Sequence, residues 1–344
     1  MSVAPVHHIT NTLRRPGIWT LMLCFLLAPV LAVPASAQQA TPSSLWDNPA
    51  IAFAPDTVPT KFGDVTIPDH PERIITLTDG ALDAMIALGI VPVGITTSAN
   101  FQGPATYLAD KVPASVAYVG GWGELDLEQV VALNPDLILS NRYLTGDDYE
   151  ILTKIAPVVA PDEIDVAGPD TLQQWEYEQL VWGHAVRQDA ASRALIEGVR
   201  SRAGEIGSRL DPHAGESVVV FRPEATFPVV MSQRWITGTV LTWSGFTGNA
   251  FSNDLNPPHS GSRVSLEQLD LLEADWLLVA IRDDAQTQAI AAYEDSPLFQ
   301  TLSAPGNNQM VLVSGDLWSG ATGVLAAHAM LDDIERIFID GETG

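Results

Sequence analysis

Arginine and aromatic residues recur at the ends of the predicted strands of this sequence. Arginine pairs with anionic oxygens, whereas tryptophan and tyrosine cover flat apolar or π surfaces. Together they can hold an oxygen-rich organic chelate, because open α/β sheets bind ligands where their strands end. The candidate ligand-binding residues are Trp122, Arg142, Tyr143, Arg222, Arg234, Trp235, His259, Arg263 and Trp318.

Recognised catalytic and metal-binding motifs are absent from the sequence. It contains no G-x-S-x-G, no G-x-x-x-x-G-K-[ST], no G-x-G-x-x-G after a strand and no H-E-x-x-H. The histidines outside the first few residues are scattered singly, without the spacing of a transition-metal site. We therefore predict a protein that is not an enzyme and that has no catalytic residue, no metal ligand and no cofactor.

Residues 1–37 have the features of an export signal. Arg14 and Arg15 precede an apolar run from Ile18 to Val33, and Ala35-Ser36-Ala37 matches the small-x-small cleavage pattern. The run contains a proline and is shorter than the roughly 20 residues that span a membrane, so cleavage after Ala37 is favoured over a retained anchor. The paired arginines fit a twin-arginine signal only loosely. We predict an extracytoplasmic protein, in the periplasm or on the exterior of the cell envelope.

The mature chain that this signal predicts is strongly acidic. Residues 1–37 carry two arginines and no acidic residue, so 15 basic and 42 acidic residues remain, a net charge of −27. The only cysteine, Cys24, leaves with the signal, which excludes disulfides and cysteine chemistry. A polyanion repels phosphate backbones, so nucleic acid is excluded as a partner.

The predicted elements form two α/β halves around a helical stretch. Residues 38–60 are rich in Pro, Ala, Ser and Thr and are predicted to be a flexible linker. Strands alternate with helices over 61–168 and again over 213–344, where Ser217–Phe221 is one predicted strand. This alternation predicts two lobes, each a parallel sheet covered by helices. Residues 169–212 lack a strand-like run and are predicted to be a connecting backbone helix region, formed by two helices or by one interrupted helix.

One phrase of the sequence occurs in both halves. "LDLEQVVALNPDLIL" (125–139) aligns without a gap with "VSLEQLDLLEADWLL" (264–278). In each copy the pattern predicts a helix followed by a buried strand, and Asp126 with Gln129 predicts a capping box in the first. The separation is far longer than a solenoid repeat, so the phrase indicates two lobes built on one plan.

Longer segments resemble the substrate-binding proteins of iron-siderophore ABC importers, relatives of the ferrichrome-, ferric-enterobactin- and vitamin B12-binding proteins. These segments include "PERIITLTDGALDAMIALGIVPVGI", "VGGWGELDLEQVVALNPDLIL", "VSLEQLDLLEADWLLVA" and "SGDLWSGATGVLAAHAMLDDI". The resemblance implies the fold of class III periplasmic binding proteins, with two α/β lobes, a long backbone helix and a shallow cleft. It also implies that iron arrives inside its chelator, so the ligand is a ferric siderophore and the protein supplies no metal ligand.

The resemblance also implies roles for particular residues. By position, the cleft residues are Trp122, the Arg142/Tyr143 pair, Arg234 or Trp235, His259, Arg263 and Trp318. Several relatives carry arginine in place of Trp122 and tryptophan near His259, so this chain departs from them there. Members of the family dock on a permease dimer at the inner membrane through one exposed glutamate on each lobe, and the matching positions are Glu128 and Glu267. We expect the protein itself to be a monomer.

Three classes of ligand or activity follow from these features. The first is capture of a ferric siderophore for an ABC importer; the net charge disfavours a highly anionic tris-catecholate and favours a hydroxamate complex. Haem or a cobalamin-like corrin is an alternative, because tryptophans also cover a flat macrocycle. A hydrolase acting on the siderophore is a further alternative, although the sequence shows no nucleophile–base pair.

Overall fold

Two five-stranded sheets organise the residues that the computed structural model describes, 45–98, 103–121, 123–166, 168, 170–255 and 261–342. The strands of the first lobe are β1 (Thr57–Thr60), β2 (Gly63–Thr66), β3 (Ile74–Thr76), β4 (Gly94–Ile95), β5 (Ala117–Tyr118), β6 (Gly120–Gly121), β7 (Glu124–Leu125), β8 (Leu137–Leu139) and β9 (Val158–Val159). Those of the second lobe are β10 (Val218–Glu224), β11 (Phe227–Val230), β12 (Ser262–Arg263), β13 (Trp276–Ile281) and β14 (Met310–Ser314).

The sheets confirm the predicted α/β class. The first has the order β5-β4-β3-β8-β9 and is parallel throughout. The second has the order β12-β11-β10-β13-β14; β10, β13 and β14 are parallel, but β11 and β12 are antiparallel. The sequence predicted a strand that stops at Phe221, whereas β10 continues to Glu224 and returns as β11 through a two-residue turn. The buried Val229 and Val230 hold this returning strand against the core.

Helices cover the sheets and connect the lobes. They are α1 (Asp79–Ala87), α2 (Leu127–Ala132), α3 (Gly146–Leu152), α4 (Gln174–Ala185), α5 (Asp189–Arg209), α6 (Ile236–Trp243), α7 (Ala250–Asp254), α8 (Asp284–Glu294), α9 (Ser303–Gly306), α10 (Gly315–Gly320) and α11 (Val324–Ile334). The connecting region consists of two helices, which is one of the two forms predicted for it: α4 packs on α1 of the first lobe, and α5, about 30 Å long, contacts α4, α6 and α11. Across the described ranges, no helix combines the length and apolarity needed to cross a membrane.

Part of the predicted flexible linker is folded. Leu45–Asp47 and Pro49–Ile51 form short 3-10 turns, and β1 pairs with β2 so that Thr57 lies opposite Thr66. Ile51 and Val58 are buried in the core, and the segments that carry them, the second 3-10 turn and β1, both contact α4. The prediction of a flexible linker over residues 38–60 is therefore wrong from Leu45 onward. Because this stretch is rich in Pro and Thr, its composition did not indicate that Ile51 and Val58 would be buried.

The two copies of the repeated phrase begin differently. In the first, Asp126 accepts the backbone N–H of Gln129 at 3.0 Å and caps α2 as predicted, but its own backbone N–H donates to the Val119 carbonyl at 2.9 Å and not to Gln129, so the predicted capping box is incomplete. In the second, Leu266–Leu272 is a 3-10 helix with a non-helical backbone at Gln268. Ser265 makes no side-chain capping bond there, so the start of a regular α-helix is not stabilised.

The aspartates near the end of each copy make the same kind of contact. Asp136 accepts the backbone N–H of Arg73 at 2.9 Å, which ties the start of β8 to the start of β3. Asp275 accepts the backbone N–H of Ser217 at 2.7 Å, which ties β13 to β10 in the same way. The sequence repeat thus has a structural counterpart in the central strand pair of each lobe.

Helix α11 joins the second lobe to the first through a buried carboxylate. Asp83 of α1 accepts the backbone N–H groups of Leu325 at 3.0 Å and Ala326 at 2.9 Å, and so caps the start of α11. Gly323 precedes the helix with φ +126°, a conformation that favours glycine, and it packs directly against Asp83. Burial raises the pKa of Asp83 to about 7, although these N–H groups act in the opposite direction.

Candidate ligand-binding cleft

Three adjoining cavities lie where the strands of the two lobes end. Among the described residues, those that line the first-lobe cavity, of about 250 Å³, lie between 77 and 148. The central cavity, of about 200 Å³, receives residues from both lobes. The described residues that line the second-lobe cavity, of about 480 Å³, lie between 222 and 320. Because Tyr143 lines the first two and Trp235 lines the last two, the three cavities form one cleft.

The parallel strands place polar groups along this cleft. Thr78 follows β3, Asn141 follows β8 and Arg282 follows β13, and all three line the central cavity. Parallel strands carry their carboxyl ends at one edge of a sheet, where ligands of α/β proteins bind. The predicted location of the site at the strand ends therefore agrees with the position of the cavities.

Tyr143 lies in the cleft and is held there by its neighbour. Its side chain is half exposed, and the guanidinium of Arg142 lies 4.7 Å from the centre of its ring. Arg142 Nη2 also donates to the Tyr143 hydroxyl at 3.0 Å. Burial raises the pKa of the Tyr143 hydroxyl, which keeps it protonated near neutral pH. Tyr143 can therefore offer both a ring face and a hydroxyl to a ligand.

Arg142 is a positioning residue, which corrects its prediction as a ligand contact. Its guanidinium is buried and pairs with Glu178 of α4 at 2.5 Å. Its backbone carbonyl accepts from Lys61 Nζ at 2.6 Å, so the loop after β8 is fixed on both sides. Arg142 lines none of the three cavities, because its side chain is turned inward to pair with the buried carboxylate of Glu178.

Removal of the Arg142 guanidinium should destabilise the protein strongly. We expect Arg142→Met to lower the free energy of unfolding by roughly 3–5 kcal/mol, because Glu178 would remain buried without its cationic partner. Burial already raises the pKa of Glu178, so the loss should shrink at acid pH, where this carboxyl becomes protonated. Chemical denaturation at two pH values measures both effects.

The exposed pair of Arg209 and Glu335 provides the control for this prediction. Arg209→Met removes a surface ion pair and should cost no more than about 1 kcal/mol. The double variant Arg142→Met/Glu178→Met should recover most of the lost stability. A single Arg142→Met variant as stable as the original protein would contradict the role given to this pair.

Three arginines of the second lobe face the cleft. Arg222 of β10 and Arg263 of β12 line the second-lobe cavity, and the Arg263 guanidinium lies 4.7 Å from the centre of the Phe227 ring. Arg222 Nε donates to Glu224 at 2.7 Å. Arg282 lines the central cavity; burial, with the nearby charge of Arg222, lowers its pKa. The cleft thus presents cationic groups that suit anionic oxygens.

Arg282 is absent from the sequence-based set of candidates. The signal was present, since "VAIRDD" places Arg282 directly after a buried strand. Arg282 has no aromatic neighbour in the sequence, unlike Arg142 or Arg234. Its position after the strand was nevertheless a sufficient reason to include it, since Arg263, which also lacks an aromatic neighbour, is among the candidates.

Two further predicted ligand residues lie elsewhere. Trp318 is fully buried and donates its indole N–H to Asp333 at 2.7 Å, so it belongs to the core and its prediction is wrong. Arg234 lines a separate cavity of about 330 Å³ beside α6 and α7, so its prediction as a cleft residue is also wrong. The chain is extended at Trp235, and neighbouring side chains of extended backbone point to opposite sides. Only Trp235 of this pair faces the cleft.

The remaining candidates divide into two groups. Trp122 and His259 lie outside the described residues, and their assignment to the cleft stays a prediction. Glu128, in the first turn of α2, and Glu267, in the 3-10 helix of the second lobe, are both exposed and line none of the three cavities. In the ranges that the structure describes, no three His, Cys, Asp or Glu side chains are grouped so as to hold a metal ion.

Comparisons with known proteins identify the relatives of this chain. The model of the periplasmic binding protein family matches residues 74–317. The achromobactin-binding periplasmic protein of Dickeya dadantii is 30% identical over 276 residues, which are 78% of this chain and 86% of that protein. The Fe(3+) dicitrate-binding periplasmic protein of Escherichia coli is 28% identical over 83% of this chain and 91% of that protein.

The fold also matches solved structures. Staphylococcus aureus SirA, solved in complex with staphyloferrin B, superposes with a TM-score of 0.71 over 81% of this chain and 97% of its own. The two sequences are 22% identical, so this likeness supports the two-lobed architecture and says nothing about the ligand.

Proposed function

The chain belongs to the periplasmic binding protein family of iron-siderophore importers, and we propose that it captures a ferric siderophore in its inter-lobe cleft for delivery to an ABC permease. Proteins of this family bind substrates for transport, and the related proteins are periplasmic or extracytoplasmic lipoproteins. The cleft provides the shape for this role, because it opens between two lobes and carries aromatic side chains along its length.

The arginines of the cleft support a proposal about the chemical class of the chelate. Arg222, Arg263 and Arg282 lie along two adjoining cavities, where they can pair with several carboxylates of one ligand. A neutral hydroxamate complex would offer no anionic group to these guanidinium groups. We therefore favour a carboxylate-type ferric chelate over the hydroxamate predicted from the sequence. Similarity to proteins that bind achromobactin and ferric dicitrate supports this choice.

The net charge of the chain does not oppose an anionic ligand in this cleft. Charges farther away than a Debye length of about 8 Å are largely screened at physiological salt. The arginines contact the ligand directly and in a partly desolvated cavity, where their interactions are stronger. The excess of cationic groups in the second-lobe cavity therefore outweighs the net charge of the chain, from which the hydroxamate was predicted.

Titration of the mature protein with a panel of ligands tests this proposal. Trp235 lies in the cleft, so tryptophan fluorescence should change as ferric citrate, a ferric hydroxamate, a ferric catecholate, haem or cobalamin binds. We expect a ferric carboxylate to bind more tightly than roughly 10 μM, about −7 kcal/mol, and at least tenfold more tightly than the hydroxamate. Failure of every ferric chelate to bind would refute the proposed function.

We further propose that the loaded protein acts as a monomer outside the cytoplasmic membrane and docks through Glu128 and Glu267. Both glutamates are exposed at the start of corresponding segments in the two lobes. An exposed apolar residue lies beside each of them, Val131 near Glu128 and Leu266 next to Glu267. An acidic group with an adjacent apolar contact suits a protein partner that presents arginines.

A further inference from the structure

Two carboxylates from opposite lobes line the central cavity. Asp79 begins α1 of the first lobe and accepts from the Ser98 hydroxyl at 2.5 Å. Asp316 lies in α10 of the second lobe, and its Oδ2 accepts from the Thr106 hydroxyl of the first lobe at 3.1 Å. The acids thus meet where the two lobes come together.

The other oxygen of Asp316 has no hydrogen-bond partner among the described residues. The Asp316 side chain is only 7% exposed, and its Oδ1 is buried. The nearest cation is Arg282, whose Nε lies 3.8 Å from Oδ1, beyond hydrogen-bond distance. A buried acceptor without a donor is unfavourable, so a hydrogen bond from a ligand in this cavity to Asp316 Oδ1 would be stabilising.

The charges of the central cavity also favour a cation. Of the described residues that line it, two are carboxylates and one, Arg282, is a guanidinium. Burial raises the pKa of both Asp79 and Asp316, and the charge of Asp316 raises that of Asp79 further. The second-lobe cavity beside it has the opposite balance, with Arg222 and Arg263 facing Glu224. Adjacent parts of one cleft therefore suit groups of opposite charge on one ligand.

We propose, resting on the proposed function, that Asp79 and Asp316 bind a protonated amine of the siderophore. The natural ligand of the protein is then a zwitterionic chelate that carries both amine and carboxylate groups. The ammonium donates to Asp316 Oδ1 and to Asp79, while carboxylates of the same ligand reach Arg222 and Arg263. Because the two acids belong to different lobes, the amine also links the lobes across the cleft. The acid pair is then the feature that separates the preferred chelate from ferric citrate, which has no amine.

Two matched ferric complexes test the proposal. The N-(2-aminoethyl) and N-propyl monoamides of citrate differ only in that the first carries a pendant ammonium near neutral pH. We expect the protein to bind the ferric aminoethyl amide at least about 10-fold more tightly than the propyl amide, as a charge-assisted hydrogen bond would give. In Asp316→Asn the ratio of the two affinities should fall below about 3-fold.

Asp79→Asn supplies a second variant for the case in which Asp316→Asn fails to fold, and it should lower the ratio in the same way. Asp110→Asn, which changes an exposed aspartate of the same lobe, should keep the original ratio. Equal binding of both amides by the unaltered protein, or a ratio that survives both cleft substitutions, would overturn the proposal and leave the proposed function intact. If neither amide nor ferric citrate binds, the proposed function fails as well.

Discussion

Reversing the charge of both docking glutamates, Glu128→Lys together with Glu267→Lys, is expected to abolish chelate uptake in cells without changing chelate affinity. Both residues are exposed, and neither lines the cleft. Lysines at these positions would face the permease arginines that the family resemblance implies, and like charges at an interface cost several kcal/mol. Uptake of radioactive iron by cells that carry only the variant, together with titration of the purified protein, measures the two effects separately.

The connecting helix offers a control with the same change in charge. Glu197 and Glu205 are exposed on α5, away from the segments that carry the docking glutamates. The double variant Glu197→Lys/Glu205→Lys should retain uptake. Normal uptake by the docking variant would refute docking through these glutamates. A large loss of its chelate affinity would show instead that they serve the cleft or the fold.

Removing the two arginines of the second-lobe cavity should weaken ferric citrate binding by more than about 100-fold. Each charge-assisted hydrogen bond to a carboxylate contributes roughly 1.5–3 kcal/mol, and Arg222→Ala/Arg263→Ala removes two such donors. The substitution also leaves Glu224 without its cationic partner, so a carboxylate would face an anionic ligand. Isothermal titration at low and physiological salt measures the loss, which should be larger at low salt.

Arg234→Ala is the matched control for this prediction. Arg234 adjoins Trp235 in the sequence but lines a different cavity, so its removal should leave chelate affinity unchanged. A loss below about 3-fold in the double variant would contradict the role given to Arg222 and Arg263. A large loss in Arg234→Ala would show that the sequence-based assignment of this arginine was right after all.

The sequence predicted the fold class because alternation of strands and helices is a local pattern with a strong physical cause. The same pattern predicted that four residues lie in the cleft, because each is near the end of a predicted strand: Tyr143, Arg222, Trp235 and Arg263. Burial at the level of single side chains was not predictable in this way. Arg142 and Trp318 turn inward because their partners, Glu178 and Asp333, are brought to them by the fold.

The acids of the central cavity were missed for a related reason. Asp79 and Asp316 each lie in the first turn of a helix, where an aspartate is favoured by the helix dipole without any role in binding. Only the approach of the two lobes places both carboxylates in one cavity. That contact joins residues more than 200 positions apart, a separation that no local pattern reports.

Anomalous scattering from crystals of the ferric citrate complex would locate the bound iron. We predict a single iron peak in the cleft between Tyr143 and Trp235, with chelate oxygens as its only ligands and chelate carboxylates on the cleft arginines. An iron peak outside the cleft would refute capture of the chelate between the lobes. So would an iron ion held directly by protein carboxylates such as Asp79 and Asp316, because the protein would then bind bare iron.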